Sequence, residues 1–425
     1  MDEVFTLRIE SLAFGGAGVG RREGKVIFVP GAFPGEAVRV KILRDHARYA
    51  EAEIVGMETP SPQRRESACP YDAECGGCPL LRLDYAAQLE WKRQMVEEQF
   101  AHIAKVAVSV SPVLPSPVGI GYRARARLKA GFSGGKFQIG FCKPKSHHIV
   151  EIARCAVANE GINATIPELR SFFATHTSPS VGAVKLETGF PERGGRVTLE
   201  AEGAIPADFL ERLLFACPSV KGASAIWQSG ARHIGDASLE VLIADGMSLR
   251  YGPGVFSQIN PKANIALIEN VLKAVNPLQG DSVLDLYCGA GNLTFPLARA
   301  GAEVTGVEFS RDAVEDAEEN KTRLGFSNTA FIQGDAGKHA RRMVKEGKTF
   351  NAVLLDPPRG GAPGLAPTLT ALAKEKIVYI SCYPPALARD AAEIVKHGFI
   401  LTNVQPVDMF PHTSHVESIA VFERK

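Results

Sequence analysis

The first 58 residues alternate apolar and polar positions between glycine-rich breaks, as in FTLRIESLAFGGAGVGRREGKVIFVPGAFPGEAVRVKIL. A period of two places successive side chains on opposite faces of a strand, so this stretch predicts the short strands of a small OB-like barrel. Pro60, Ser61 and Pro62 then mark a boundary. Beyond it the period changes: Tyr85, Leu89, Val96, Phe100 and Ile103 recur at helical spacing and predict a helix over about 84–107 with one apolar face. From about 110 to 250 the pattern is mostly that of strands, with glycine and proline punctuation throughout. After Asn260-Pro261, a good N-cap and first-turn pair, strand-like runs (SVLDLYC, EVTGVEFS, NAVLLDPP, KIVYISC) alternate with helical ones. That alternation predicts a doubly wound parallel sheet. The expected organisation is therefore a β-barrel over 1–58, a central mainly β domain over 59–250 and a Rossmann-like α/β domain over 251–425. The helix at 84–107 is expected to pack on the last of these.

Bulk charge changes little in this picture. Lys and Arg number 48 against 47 Asp and Glu, so any nucleic-acid site must come from local clustering. The start, MDEVFTLRIE, lacks the apolar core of a signal peptide, and no run of about 18 apolar residues predicts a membrane span. Eight cysteines without a secretory signal point to a reducing, cytoplasmic setting. There they are read as ligands, nucleophiles or core residues.

Acids stand at the ends of four successive strands. VLDLYCGAGN runs from an apolar strand into Gly289-Ala290-Gly291, where backbone can approach a ligand. The third glycine of the dinucleotide fingerprint is missing. Glu308 closes the next strand, Asp335 follows FIQG, and Asp356 opens Asp-Pro-Pro. Such acids oppose a pyrophosphate but suit S-adenosylmethionine, which is cationic and carries no phosphate. Asp-Pro-Pro also resembles the motif of amino-group methyltransferases, but Arg359 replaces the aromatic that would stack on a flipped base.

Cys382 falls at the end of the next strand and faces the same crevice. A thiolate there can add to C6 of uracil, making C5 enolate-like and able to take a methyl group. A base must then remove the C5 proton so that the thiol is eliminated, and Glu417 at the edge of the last strand is a candidate.

Taken with FGGAGVGR, CPYDAECGGCPL, GYRARARL, FSQIN, DLYCGAGNLT, DPPRGG, SCYPPALARD and FPHTSHVE, the chain resembles the RNA uracil-5-methyltransferase family over nearly its whole length. Within it, the resemblance is to the bacterial 23S ribosomal RNA enzymes with an N-terminal TRAM domain and an iron–sulfur cluster. The resemblance implies Cys382 as nucleophile and Glu417 as base. It implies contacts to the methyl donor from Gln258, Tyr287, Asn292, Glu308, Asp335 and Asp356, with the residue type at the Asp335 position varying within the family. It further implies an RNA partner, 23S ribosomal RNA, with the T-loop of transfer RNA as the alternative; nothing in the sequence sets an oligomeric state, and a monomer is the default expectation. A non-catalytic iron–sulfur RNA-binding protein is the rival from another class, and retention of Cys382, Glu417 and the acids together argues against it.

Cys69, Cys75 and Cys78 follow C-x5-C-x2-C, and Cys155 lies far downstream. Four thiolates can hold a [4Fe–4S] cluster or zinc, and spacing alone does not separate the two. The family resemblance implies the [4Fe–4S] cluster and Cys155, not its rival Cys142, as fourth ligand. Cys217 and Cys288 are expected in the core or at turns. Arg123, Arg125, Arg127 and Lys129 share one face of a strand and predict a phosphate track, to which Arg21, Arg22 and Lys25 add charge near a barrel loop.

Overall fold

The computed structural model describes residues 3–106, 108–134, 136–176, 181–191 and 194–425. The N-terminal strands β1 (Val4–Arg8), β2 (Ser11–Leu12), β3 (Gly18–Arg22), β4 (Lys25–Val29), β5 (Ala37–Asp45) and β6 (Tyr49–Thr59) form one sheet of order β1-β5-β6-β4-β3-β2. Alternate residues Leu7, Ile9, Ile27, Val29, Val38 and Val40 turn inward to make its core. This is the period-two pattern of the sequence expressed as packing.

A cysteine-bearing loop leads to α1 (Tyr85–Gln99), whose first turn is capped by the Asp84 carboxylate accepting from the Ala86 N–H at 3.0 Å. The helix closes in a π turn over Phe100–Ala104; residue 107, its expected end, lies outside the described residues. Its buried face overlaps the expected one only in part. Leu89 is only half-buried and Ile103 is 41% exposed, whereas Gln88, Trp91, Lys92, Met95, Val96 and Phe100 are buried. Val96 and Phe100 of the expected face are buried, but the buried stripe also carries a glutamine and a lysine, which apolar periodicity does not count.

The central sheet comprises β7 (Arg125–Ser133), β8 (Lys136–Cys142), β9 (Ile149–Glu151), β10 (Val181–Thr188), β11 (Gly195–Ala201), β12 (Gly222–Trp227) and β13 (Gly230–Gly235), in the order β13-β12-β11-β10-β7-β8-β9. Two helices the sequence did not suggest, α2 (Glu160–Thr175) and α3 (Ala207–Ala216), pack on it. Pro167 inside α2 argues against a helix by propensity. Burial of Ile162, Ile166, Leu169 and Phe173 against the sheet outweighs that local preference.

A hairpin, β14 (Leu239–Ala244) and β15 (Met247–Tyr251), shares a core with α4 (Pro261–Val275). As expected, Asn260 caps α4, accepting from the Ala263 N–H at 3.1 Å, with Pro261 in the first turn. The last sheet then runs through β16 (Ser282–Leu286), α5 (Thr294–Arg299), β17 (Glu303–Glu308), α6 (Arg311–Leu324), β18 (Thr329–Gln333), α7 (Ala336–Lys345), β19 (Phe350–Leu355), α8 (Ala366–Leu372), β20 (Ala373–Ser381), α9 (Pro384–Lys396), β21 (Phe399–Val407) and β22 (Glu417–Arg424). Its order is β18-β17-β16-β19-β20-β22-β21, parallel except for β22. Trp91, Met95, Val96 and Phe100 of α1 share a core with Leu387, Ala391 and Ile394 of α9, so α1 does pack on this layer. No helix among the described residues is long and apolar enough to cross a membrane.

Candidate active site

Strand order reverses at β16, which lies between β17 and β19, and the crevice beyond the carboxyl ends of these strands is where such sheets bind ligands. Tyr287 follows β16 with φ +66°, a left-handed conformation unusual for a non-glycine residue, held by its N–H donating to the Val307 carbonyl at 2.8 Å. Gly289 and Gly291 continue the turn at positive φ, and a Cβ on Gly291 would collide with the Phe295 ring. Glu308 accepts from the N–H groups of Gly289 (3.1 Å) and Ser310 (2.8 Å), tying the turn to the next strand end.

Asn292 exchanges two side-chain hydrogen bonds with Asn264 of α4, at 2.8 and 3.0 Å. Sequence reasoning missed Asn264, whose buried face on an apolar helix was the available signal. Asp285 is buried in β16 with one carboxylate oxygen accepting from Thr294 at 2.6 Å and the other without a partner. Burial raises its pKa to about 7. Asp335 is exposed and caps α7, accepting from the Lys338 N–H at 2.7 Å; burial raises the Tyr287 phenol, and the Asp335 charge adds to it. Gln258 is half-buried after a segment gripped by Arg196, which donates to the carbonyls of Tyr251 (3.1 Å), Gly252 (2.6 Å) and Val255 (3.4 Å).

Cys382 and Glu417 meet at the far side of the same crevice. Ser381 of β20 pairs with Ser418 of β22, so the antiparallel register sets the next residue, Cys382, beside Glu417. Cys382 is half-buried, and burial together with the Glu417 and Asp356 charges pushes its thiol up to about 11, opposed by Arg359. Glu417 is buried with one oxygen lacking any partner, and burial, then Asp356, raises it well above the carboxylate range. Asp356, at the end of β19, is raised by burial to about 7. Two neighbouring buried carboxyls of this kind do not both ionise, so the pair holds one proton and can offer one carboxylate. The Arg359 guanidinium lies 5.2 Å from the Tyr383 ring centroid, and Phe14 of the N-terminal domain meets that ring edge-on at 5.7 Å. An exposed aromatic from the first sheet thus stands beside the residue that follows the thiol.

Cys69, Cys75, Cys78 and Cys155 line one cavity of about 50 Å³, together with Arg123. Burial pushes the Cys78 thiol up to about 12, and the nearby Cys155 acts in the same direction. Cys142 does not line the cavity; its carbonyl accepts from the Gly76 N–H at 3.3 Å. Among the described residues no three His, Cys, Asp or Glu side chains converge closely enough to hold a single metal ion. Cys217 and Cys288 are buried elsewhere.

The expected phosphate track does not survive as four free cations. Arg127 is paired with Glu200 (2.7 Å), Arg125 stacks over Phe256 at 4.5 Å near Glu187, and Arg123 turns to the cysteine cavity. Carboxylates on β10 and β11, distant in sequence, supply the counter-charge that the strand alone did not reveal. Of the cations on the N-terminal sheet, Arg22 pairs with Glu3 at 2.7 Å, Arg21 lies 3.7 Å from Glu10, and Lys25 pairs with Asp45.

Comparison with known proteins places this geometry. Residues 236–425 match the family described as tRNA (Uracil-5-)-methyltransferase, and residues 3–55 match the TRAM domain. The 23S rRNA (uracil(1939)-C(5))-methyltransferase RlmD of Alkalilimnicola ehrlichii is 35% identical over 100% of this chain and 97% of its own. That of Aeromonas hydrophila is 36% identical over 98% of this chain and 96% of its own. Among solved structures, the Pyrococcus abyssi tRNA (uracil-54, C5)-methyltransferase in complex with S-adenosyl-L-homocysteine superposes with a TM-score of 0.76. It is 25% identical and covers 99% of this chain and 100% of its own.

Proposed function

Because the chain belongs to the RNA uracil-5-methyltransferase family, we propose that it methylates C5 of a uridine in 23S ribosomal RNA with S-adenosylmethionine as donor. The adjacency of Cys382 to Glu417, whose free carboxylate oxygen is buried and unpartnered, carries this reading. The Cys382 thiolate adds to C6 and sends the ring electrons toward O4. C5 then takes the methyl group from the sulfonium, and the donor leaves as S-adenosylhomocysteine. The Glu417 carboxylate removes the C5 proton, the C5–C6 double bond re-forms, and the Cys382–C6 bond breaks. Asp356 positions the uracil edge or the donor. Glu308 and Asn292, with Gln258 and Tyr287, line the donor side, and Asp335 stands at its rim.

The target uridine must leave its stack to reach Cys382, so a splayed loop nucleotide is the expected substrate. Phe14 and the TRAM domain face the approach. Full-length relatives that act on 23S ribosomal RNA favour that substrate over the T-loop of transfer RNA.

The four cysteines fit a [4Fe–4S] cluster. Beyond burial, Cys155 raises the thiols of Cys69, Cys75 and Cys78 alike, so the four lie near one another, and four thiolates of this kind can hold such a cluster. Cys69, Cys75, Cys78 and Cys155 would hold it, Arg123 would offset its negative charge, and its role would be structural or RNA-positioning, not redox catalysis.

Tritium release from [5-³H]uridine-labelled transcripts of 23S ribosomal RNA and transfer RNA tests the proposal. Release from the ribosomal transcript by wild type and not by Cys382→Ala supports it; release from transfer RNA alone would reassign the substrate. Release from neither would overturn the uracil-5 reading.

A further inference from the structure

Gln88 is fully buried in α1, yet it belongs neither to the donor crevice nor to the thiol cavity. Its amide nitrogen donates to the carbonyls of Leu80 (3.0 Å) and Leu83 (2.8 Å) and reaches His412 Nδ1 at 3.1 Å. Its amide oxygen accepts from the His412 N–H at 2.9 Å. The His412 carbonyl accepts from the Leu80 N–H at 3.0 Å. Every main-chain polar group of His412 is therefore bound to the segment 80–88, which follows directly on Cys78.

That concentration has a reason. His412 has φ +67°, a conformation that costs a non-glycine residue energy and persists only where its surroundings over-determine it. One helical turn beyond Gln88, Lys92 donates to Asp408 Oδ1 (2.7 Å) and the Phe410 carbonyl (3.0 Å). Two residues of α1 thus fix residues 408–412, and five residues after His412 the chain delivers Glu417 into the site. Within that span the Thr413 hydroxyl donates to Phe410 O at 2.9 Å and accepts from the His415 N–H at 3.3 Å, so the bend passes on toward Glu417. No side chain of α1 needs to touch substrate for this to matter.

We propose that Gln88 is a positioning residue for the base: by clamping His412 to the cysteine-bearing segment it sets the Glu417 carboxylate at C5, and so governs resolution of the covalent intermediate. The proposal rests on the function assigned above. It predicts a particular defect. Attack by Cys382 and methyl transfer depend on β20 and the donor crevice, which Gln88 does not contact, whereas proton removal depends on the loop it holds. A misplacement of about 1 Å costs a reacting pair up to about a hundredfold.

The test is Gln88→Met, which keeps the volume and removes all the amide bonds. Gln88→Glu, which retains only the acceptor for the His412 N–H, serves as the second variant should the first fail to fold. Both are assayed as full-length protein for denaturant-stable RNA adduct and for tritium release, with Glu417→Gln as reference. The expected result is adduct formation within about twofold of wild type, with release slowed about ten- to a hundredfold, so that adduct accumulates as in Glu417→Gln. Adduct and release falling together, or both unchanged, would overturn the proposal. If Glu417→Gln itself accumulates no adduct, the assignment of the base fails, not the role of Gln88 alone.

Discussion

Cys382 and Glu417 sit side by side across β20 and β22, one step beyond the Ser381–Ser418 pair. The antiparallel β22, the one strand that breaks the parallel order, brings a carboxylate from the end of the chain to a thiol more than 30 residues earlier. Burial disfavours ionisation of both groups; the Glu417 charge adds to it at Cys382, and the Asp356 charge adds to it at Glu417.

If Glu417 is the base, its removal spares the first half of the reaction. Glu417→Gln should still form the adduct but release tritium about 10² to 10⁴ times more slowly. Cys382→Ala should do neither. Quantifying adduct on denaturing gels beside tritium release checks both.

The raised thiol gives adduct formation a pH dependence. A thiol near 11 is almost wholly protonated at neutral pH, and only the thiolate adds to the ring. In the Glu417→Gln background, where Asp356 is the carboxyl left beside the thiol, the single-turnover adduct rate should rise with pH through neutrality, by up to about tenfold per unit. Arg359 favours the thiolate. Arg359→Met should therefore slow adduct formation at fixed pH and move the profile to higher pH.

The thiol cavity separates the rival fourth ligands. Cys69→Ser, Cys75→Ser, Cys78→Ser and Cys155→Ser should each lose the iron and the visible absorption of the cluster in anaerobically purified protein. Cys142→Ser should retain both. Iron and sulfide analysis with absorption spectra provides the check, and zinc at one equivalent in the wild type would contradict the cluster.

Lys92 and Asp408 form an ion pair with both side chains fully buried. Lys92→Met leaves the Asp408 carboxylate without its counter-charge and should destabilise the protein by about 3–5 kcal/mol. The double variant Lys92→Met/Asp408→Asn should recover part of that loss. Denaturant melts measure both.

Much of the catalytic layer was legible because its signals are local. Apolar runs ending in acids gave β16, β17 and β19, and Asn260-Pro261 gave the start of α4. What escaped was set by tertiary contact. α2 folds around Pro167 because the central sheet buries its apolar face. The inner face of α1 was only half legible: Val96 and Phe100 signalled it, but Gln88 and Lys92, polar in sequence, are satisfied by a loop more than 300 residues away. The arginines of β7 looked unpaired until Glu187 and Glu200 were placed beside them. Periodicity reports which side chains share a face; it does not report what that face meets.

The covalent step is the centre of the account, and mass spectrometry of a trapped complex tests it most directly. Glu417→Gln would be incubated with the 23S ribosomal RNA substrate and S-adenosylmethionine, denatured, and digested with protease and nuclease. The account predicts one modified peptide, carrying a 5-methylated dihydropyrimidine nucleotide on Cys382. A nucleotide attached to another cysteine, or methylated RNA with no protein bound at any stage, would contradict it.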